Sequence, residues 1–127
     1  MEKKLLIADD EPKILLLLEQ TLEELEDEGV ELLQATNGQE ALDLIEEEKP
    51  QLVFLDYNMP EMTGVAVCEA IKNDPALNGV FIVLLTGKGQ ETDRQEGLEA
   101  GADRYLTKPF DPGEVLRLAS EVLDVEV

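Results

Sequence analysis

Short apolar runs alternate along this chain with stretches of helical rhythm, and each run stops at a polar residue. No other feature constrains the fold as much. Residues 4–8 (Lys-Leu-Leu-Ile-Ala) read as a first buried strand ending at Asp9-Asp10. Pro12 suits the first turn of a helix, where its missing N–H costs nothing, and Ile14, Leu18, Leu22 and Leu25 give that helix one face up to Gly29. Residues 30–36 form a second strand, interrupted by Glu31 and Gln34 as befits a sheet edge. Asn37 with Glu40 resembles an N-cap and its N3 acid, followed by an Ala41, Leu42, Ile45 stripe and a stop at Pro50. Residues 51–55 are a third strand ending at Asp56, and Val67, Cys68 and Ile71 share one helical face. Asn37-Gly38 has the composition of a hairpin turn, but its neighbours favour a strand-to-helix turn.

Residues 80–85 (Val-Phe-Ile-Val-Leu-Leu) are the most apolar run and end at Thr86. A helix is expected over 90–100, weakly packed, with Leu98 and Ala100 as its core candidates and Gly97 lowering its propensity. A short strand over 103–106 follows. Asp111-Pro112-Gly113-Glu114 then opens a last helix whose stripe is Val115, Leu118, Ala119 and Val122. Five strands alternating with five helices give an α/β fold. It is a doubly wound, five-stranded parallel sheet, (βα)5, with helices on both faces. A chain of 127 residues holds one such domain, taken as residues 1–127.

Composition excludes several function classes. No histidine is present, which removes imidazole bases, Ser-His or Cys-His nucleophiles and His-ligated metals. Cys68 is the only cysteine, a small core residue with no disulfide partner and no zinc cluster to join. Thirty acids against ten bases leave a net charge of −20, which repels nucleic acid and anionic lipid. No run approaches the ~20 apolar residues of a membrane span, and the start does not read as a signal peptide, so a cytoplasmic protein is expected.

Asp9, Asp10, Asp56, Thr86 and Lys108 all fall at carboxyl ends of strands, where open α/β sheets bind ligands. Taken singly, each has a plain alternative: Asp9-Asp10 as a helix cap, Thr86 as a β-branched strand residue, Lys108 as a solvated loop lysine. Together, three converging carboxylates call for a divalent cation, and an all-oxygen set favours Mg²⁺. Lys108 adds a positive charge for a further anion and Thr86 a hydroxyl donor. A carboxylate can attack phosphorus and form an acyl phosphate, and without histidine an aspartate is the natural nucleophile.

Asp9-Asp10, the segment Leu55-Asp56-Tyr57-Asn58-Met59-Pro60, Gly64, Thr86, Tyr105 and Lys108-Pro109-Phe110 jointly resemble the response-regulator receiver domain of two-component signalling, along essentially the whole chain. The resemblance implies the flavodoxin-like strand order 2-1-3-4-5. It implies a phosphoacceptor rather than an enzyme, with self-catalysed phosphorylation and autodephosphorylation. Asp56 would take a phosphoryl group from a phosphohistidine on a sensor histidine kinase or phosphotransfer protein. Asp10, Asp56 and the Asn58 backbone carbonyl would ligate Mg²⁺, with Asp9 acting through water and Mn²⁺ as a substitute. Thr86, Lys108 and the backbone N–H groups of Asn58 and Gly87 would contact phosphoryl oxygens. Thr86 and Tyr105 would move inward on phosphorylation and remodel the face of the fourth helix, fifth strand and fifth helix. A downstream protein or fused output domain would dock there, and a homodimer could form through the same helices. Lys108-Pro109 would be cis.

Gly87 stands where the family usually has alanine, which would open space beside the phosphoryl site, and Lys88 after it is expected to reach toward an anion. A pseudo-receiver, a binding module independent of phosphorylation, is the alternative, but it would be expected to lack an acid, the threonine or the lysine. An aspartate-nucleophile phosphatase would need an acid where Asn58 stands. A flavin carrier would need a hydroxyl-rich phosphate loop in place of Asp9-Asp10-Glu11.

Overall fold

The computed structural model describes residues 2–87 and 91–126, the side chains of 91–94 excepted. Strands β1 (Lys4–Ala8), β2 (Glu31–Ala35), β3 (Leu52–Asp56), β4 (Phe81–Thr86) and β5 (Arg104–Thr107) form one sheet in the order β2-β1-β3-β4-β5. Every neighbouring pair is parallel. The helices are α1 (Pro12–Thr21), α2 (Glu23–Asp27), α3 (Gly38–Glu48), α4 (Gly64–Lys72), α5 (Glu91–Glu99) and α6 (Pro112–Leu123).

Alternation along each strand divides the core between the two sheet faces. Leu5, Ile7, Phe54 and Leu85 point to one face, where Leu18 and Leu22 of the α1–α2 segment and Val115 and Ala119 of α6 cover them. Leu6, Val53, Leu55 and Ile82 point to the other, under Ala41 and Ile45 of α3 and Val67, Cys68 and Ile71 of α4. All five residues of β3, the central strand, are buried, whereas Glu31 and Gln34 of β2 are exposed at the sheet edge. Each such buried aliphatic contributes roughly 1.5–3 kcal/mol, so the sheet's two faces hold the fold together from both sides. Cys68 sits fully buried with its Sγ 3.6 Å from the Ala100 carbonyl oxygen.

The expected caps form. Asn37 Oδ1 accepts the Glu40 N–H at 2.8 Å, and Glu40 Oε1 accepts the Thr36 N–H at 2.7 Å. Asn37-Gly38 therefore opens a helix, not a hairpin. Asp111 Oδ1 accepts the Gly113 N–H at 2.9 Å and starts α6. Gly29, at φ +92°, ends the first helical segment as expected.

Three expectations are corrected. The first helix is two: Leu22 leaves the helical region at φ −97°, ψ 5°. Its N–H still donates to the Leu18 carbonyl at 2.9 Å, and both Leu22 and Leu25 stay fully buried across the turn. The expected fourth and fifth helices are accordingly α5 and α6. Leu98 is not a core residue, being 45 % exposed. Gly97 faces the sheet instead, so close that a Cβ there would lie 2.4 Å from Leu84 Cδ1. That contact turns Leu98 outward. In α6 Val122 is half-buried and Leu123 takes the fully packed place.

The described side chains of α5 other than Gly97 are exposed, while α6 buries Val115, Leu118, Ala119 and Leu123. Amides of residues 95–99 are therefore expected to exchange with solvent roughly tenfold or more faster than those of 115–123. Hydrogen exchange read by mass spectrometry measures this, and equal protection in the two helices contradicts it.

Candidate functional site

Parallel strands bring their carboxyl ends to one edge of the sheet. There β1 runs into Asp9-Asp10, β3 ends on Asp56, and the loop after β5 carries Lys108. One oxygen from each of Asp9, Asp10 and Asp56 falls within 4.8 Å of the others. Asp9 is fully buried, Asp56 nearly so, and Asp10 faces solvent.

Lys108 Nζ completes the cluster. It donates to Asp9 Oδ2 at 2.8 Å and to Asp56 Oδ1 at 3.1 Å, with Glu11 Oε1 at 3.5 Å. Asp9 Oδ1 accepts the Glu11 N–H at 2.9 Å, so the buried Asp9 carboxylate is bonded at both oxygens. Burial works against the Lys108 charge, but the Asp9 hydrogen bond and the Asp56 and Asp9 charges outweigh it and hold the ammonium above its usual range. Asp56 goes the other way from an ordinary carboxyl. Burial first, then the Asp9 charge, push it up to about 7, while Lys108 pulls it back and Asp10 adds to the rise.

Two glycines let the backbone close around Asp56. The Gly64 N–H donates to the Tyr57 carbonyl at 2.9 Å, closing the loop 57–64, and a Cβ on Gly64 would lie 2.2 Å from the Asp56 carbonyl oxygen. Across the loop, a Cβ on Gly38 would lie 1.8 Å from the Met62 carbonyl oxygen. The Tyr57 N–H donates to the Leu85 carbonyl at 2.9 Å, which ties the loop's start to β4.

Thr86 is buried one residue beyond Leu85, the register partner of Asp56. Its carbonyl accepts the Lys108 N–H at 2.7 Å, so the Thr86 and Lys108 backbones meet directly. In register, Leu84 pairs with Tyr105 and Thr86 with Thr107, which puts Thr86 and the half-buried Tyr105 on one face of the sheet. Asn58 is exposed in the loop after β3, and Gly87 follows Thr86. Lys88 lies outside the described residues. The Lys108-Pro109 peptide is cis.

The donor set is all oxygen and carries three negative charges against one ammonium, which fits a hard divalent cation better than zinc or copper. Glu11, a third carboxylate beside Lys108, is a member of the cluster that sequence reasoning misses. The available signal is a third consecutive acid in Asp9-Asp10-Glu11.

Residues 5–120 match the family model of the response regulator receiver domain. The chain belongs to this family. This receiver domain is 43 % identical over 115 residues to the alkaline phosphatase synthesis transcriptional regulatory protein PhoP of Bacillus subtilis (strain 168), covering 91 % of the chain and 46 % of that protein. It is 42 % identical over 116 residues to the transcriptional regulatory protein SrrA of Staphylococcus aureus (strain NCTC 8325 / PS 47), again covering 91 % and 46 %. The chain thus spans about half the length of these curated relatives. Among solved structures it is similar to the chemotaxis response regulator CheY4 of Vibrio cholerae, with a TM-score of 0.83, 32 % identity, and coverage of 97 % of this chain and 100 % of that one. The flavodoxin-like receiver fold is therefore the fold of this chain. No helix among the described residues is long and apolar enough to cross a membrane.

Proposed function

We propose that this receiver domain is a phosphorylation switch whose acceptor is Asp56. The observation that carries the reading is the Lys108 ammonium bridging two buried carboxylates beside a third: an acidic pocket with more negative than positive charge, suited to take up a cation and then a phosphoryl group. In the reaction an Asp56 oxygen forms a bond to the phosphorus of a phosphohistidine. The P–N bond breaks, and the imidazole nitrogen leaves with the electron pair. Lys108 then holds a phosphoryl oxygen in place of the Asp56 oxygen it binds at rest. Thr86 and the backbone N–H groups of Asn58 and Gly87 supply further donors.

Mg²⁺ is the proposed cation, with Mn²⁺ as a substitute, held by Asp10, Asp56 and the Asn58 carbonyl, and by Asp9 through water. When bound, it neutralises charge on the carboxylates and on the transferring phosphoryl group. Thr86 and Tyr105 share a sheet face, so inward movement of the first frees room for the second. The groove beside Tyr105, lined by Leu98, Leu106, Pro109 and Phe110, belongs to the α5-β5-α6 face and is the proposed output surface. The donor is a sensor histidine kinase or phosphotransfer protein in the cytoplasm. The receiver of the signal is a downstream protein or a fused output domain.

Incubation with acetyl phosphate and Mg²⁺ is expected to add one phosphoryl group, visible by intact-mass spectrometry. Asp56→Asn is expected to abolish the addition, and omission of the cation to reduce it at least about a hundredfold, as electrostatic stabilisation of phosphoryl transfer requires. A parent chain that takes up no phosphoryl group while binding partners normally is a phosphorylation-independent binding module instead.

A further inference from the structure

The loop that follows Asp56 is propped from a distant part of the chain. The Met62 N–H donates to the Pro60 carbonyl at 2.8 Å, a three-residue γ-turn whose centre, Glu61, sits at φ +70°. A non-glycine residue in that region is strained and persists only where its surroundings impose it. The imposing contact comes from the start of α3. The Gly38 N–H donates to the same Pro60 carbonyl at 3.2 Å, and the Met62 carbonyl rests against the bare Gly38 Cα, in space a Cβ would need. Gly38 is buried, and its own position is fixed by the Asn37 cap on Glu40. At its far end the same loop is closed by the Gly64–Tyr57 hydrogen bond. Asn58 and Met59 lie between these two fixed points, with Met59 buried beneath.

We propose that Gly38 is a positioning residue for the cation side of the pocket. It touches neither cation nor acceptor. By holding the Pro60–Met62 turn in its strained form it sets where the Asn58 peptide stands relative to Asp10 and Asp56. The proposal rests on the reading of the acidic cluster as a cation site. A residue supporting a ligand group from behind typically changes metal affinity tenfold or more when replaced. Alanine at position 38 must push the Met62 carbonyl away, because the obstructing atom is backbone and cannot rotate aside.

Titration of the metal-free chain with Mg²⁺ alone, followed by calorimetry, tests this at a temperature where circular dichroism shows each variant folded. Gly38→Ala is expected to weaken Mg²⁺ binding about tenfold. Leu123→Ala, a cavity variant on the opposite sheet face, is expected to lower thermal stability and leave Mg²⁺ affinity within about twofold, since the sites are far apart and independent. Asn37→Ala removes only the cap on the prop and should weaken binding by roughly two- to threefold, with Asn37→Ser, which keeps a capping oxygen, restoring it. This pair decides the matter should Gly38→Ala not fold. Unchanged Mg²⁺ affinity in folded Gly38→Ala, or in Asn37→Ala, overturns the proposal while the phosphorylation switch stands. So does an equal loss in Leu123→Ala. A parent chain that binds no Mg²⁺ overturns both.

Discussion

Replacing Lys108 by methionine is expected to cost the fold about 3 kcal/mol at pH 8 without divalent cations, the scale seen when one partner of a buried charge cluster is removed. Lys108 offsets the fully buried Asp9 and the nearly buried Asp56 at the same time. Methionine keeps the aliphatic stem and its packing but leaves two carboxylates facing each other in a desolvated pocket. The cost should shrink as pH falls. Asp56 already takes up its proton near pH 7 with the ammonium present, and without that cation it takes it up at higher pH still. At pH 5 one of the two charges that Lys108 offsets is therefore gone from both proteins. Urea unfolding at pH 8 and pH 5 reads the difference as a shift in midpoint at unchanged slope. A loss below about 1 kcal/mol at pH 8, or the same loss at both pH values, would mean that Lys108 does not balance this pocket.

Much of this arrangement is legible in the sequence because strand ends and helix starts are local events. The change from an apolar run to an acid marks where β3 stops, and Asn37 with Glu40 or Asp111 with Pro112 marks where a helix begins. Parallel strands then bring all their carboxyl ends to one side, so distant residues such as Asp9 and Lys108 meet without any direct sequence signal linking them. What stays hidden depends on tertiary packing. Nothing in Glu19-Gln20-Thr21-Leu22-Glu23 announces the break at Leu22; the chain turns there while Leu22 and Leu25 remain under the sheet. Reading Leu98 as core follows from its size, but α5 approaches β4 through Gly97, the one side that has no side chain to keep the backbone away. Gly38 and Gly64 are opaque for the same reason. A glycine's importance here lies in which carbonyl presses on it, and that carbonyl belongs to a segment more than twenty residues away for Gly38 (Met62) and eight away for Gly64 (Asp56).

Asparagine in place of Asp56 is expected to make the metal-free protein more stable at pH 8 while abolishing its phosphorylation. The sign follows from linkage. In the folded chain Asp56 is raised to about 7 from an ordinary 3.8, chiefly by burial and by Asp9. The stability this group contributes is complete below its unfolded value and is lost as pH rises through the folded one. Between pH 5 and pH 8 the parent should therefore lose stability that the Asp56→Asn variant keeps. A shift of this size corresponds to about 4 kcal/mol at face value; allowing for solvent screening at the mouth of the pocket, about 1–2 kcal/mol is expected. For a domain of this length that is a midpoint difference of roughly 4–8 °C at pH 8. Mg²⁺ should recover most of it in the parent, by stabilising the ionised acid, and little of it in the variant. Thermal unfolding of both proteins at pH 5 and pH 8, with and without Mg²⁺, gives all four values. Parallel pH profiles, or equal response to Mg²⁺, would show that Asp56 is not the strained acid of the pocket. In the proposed switch the destabilisation and the chemistry would have one origin. A carboxylate left short of compensating charge by the fold would gain most when a cation and then a phosphoryl group entered, so the group that weakens the resting domain at high pH would be the group that makes it responsive.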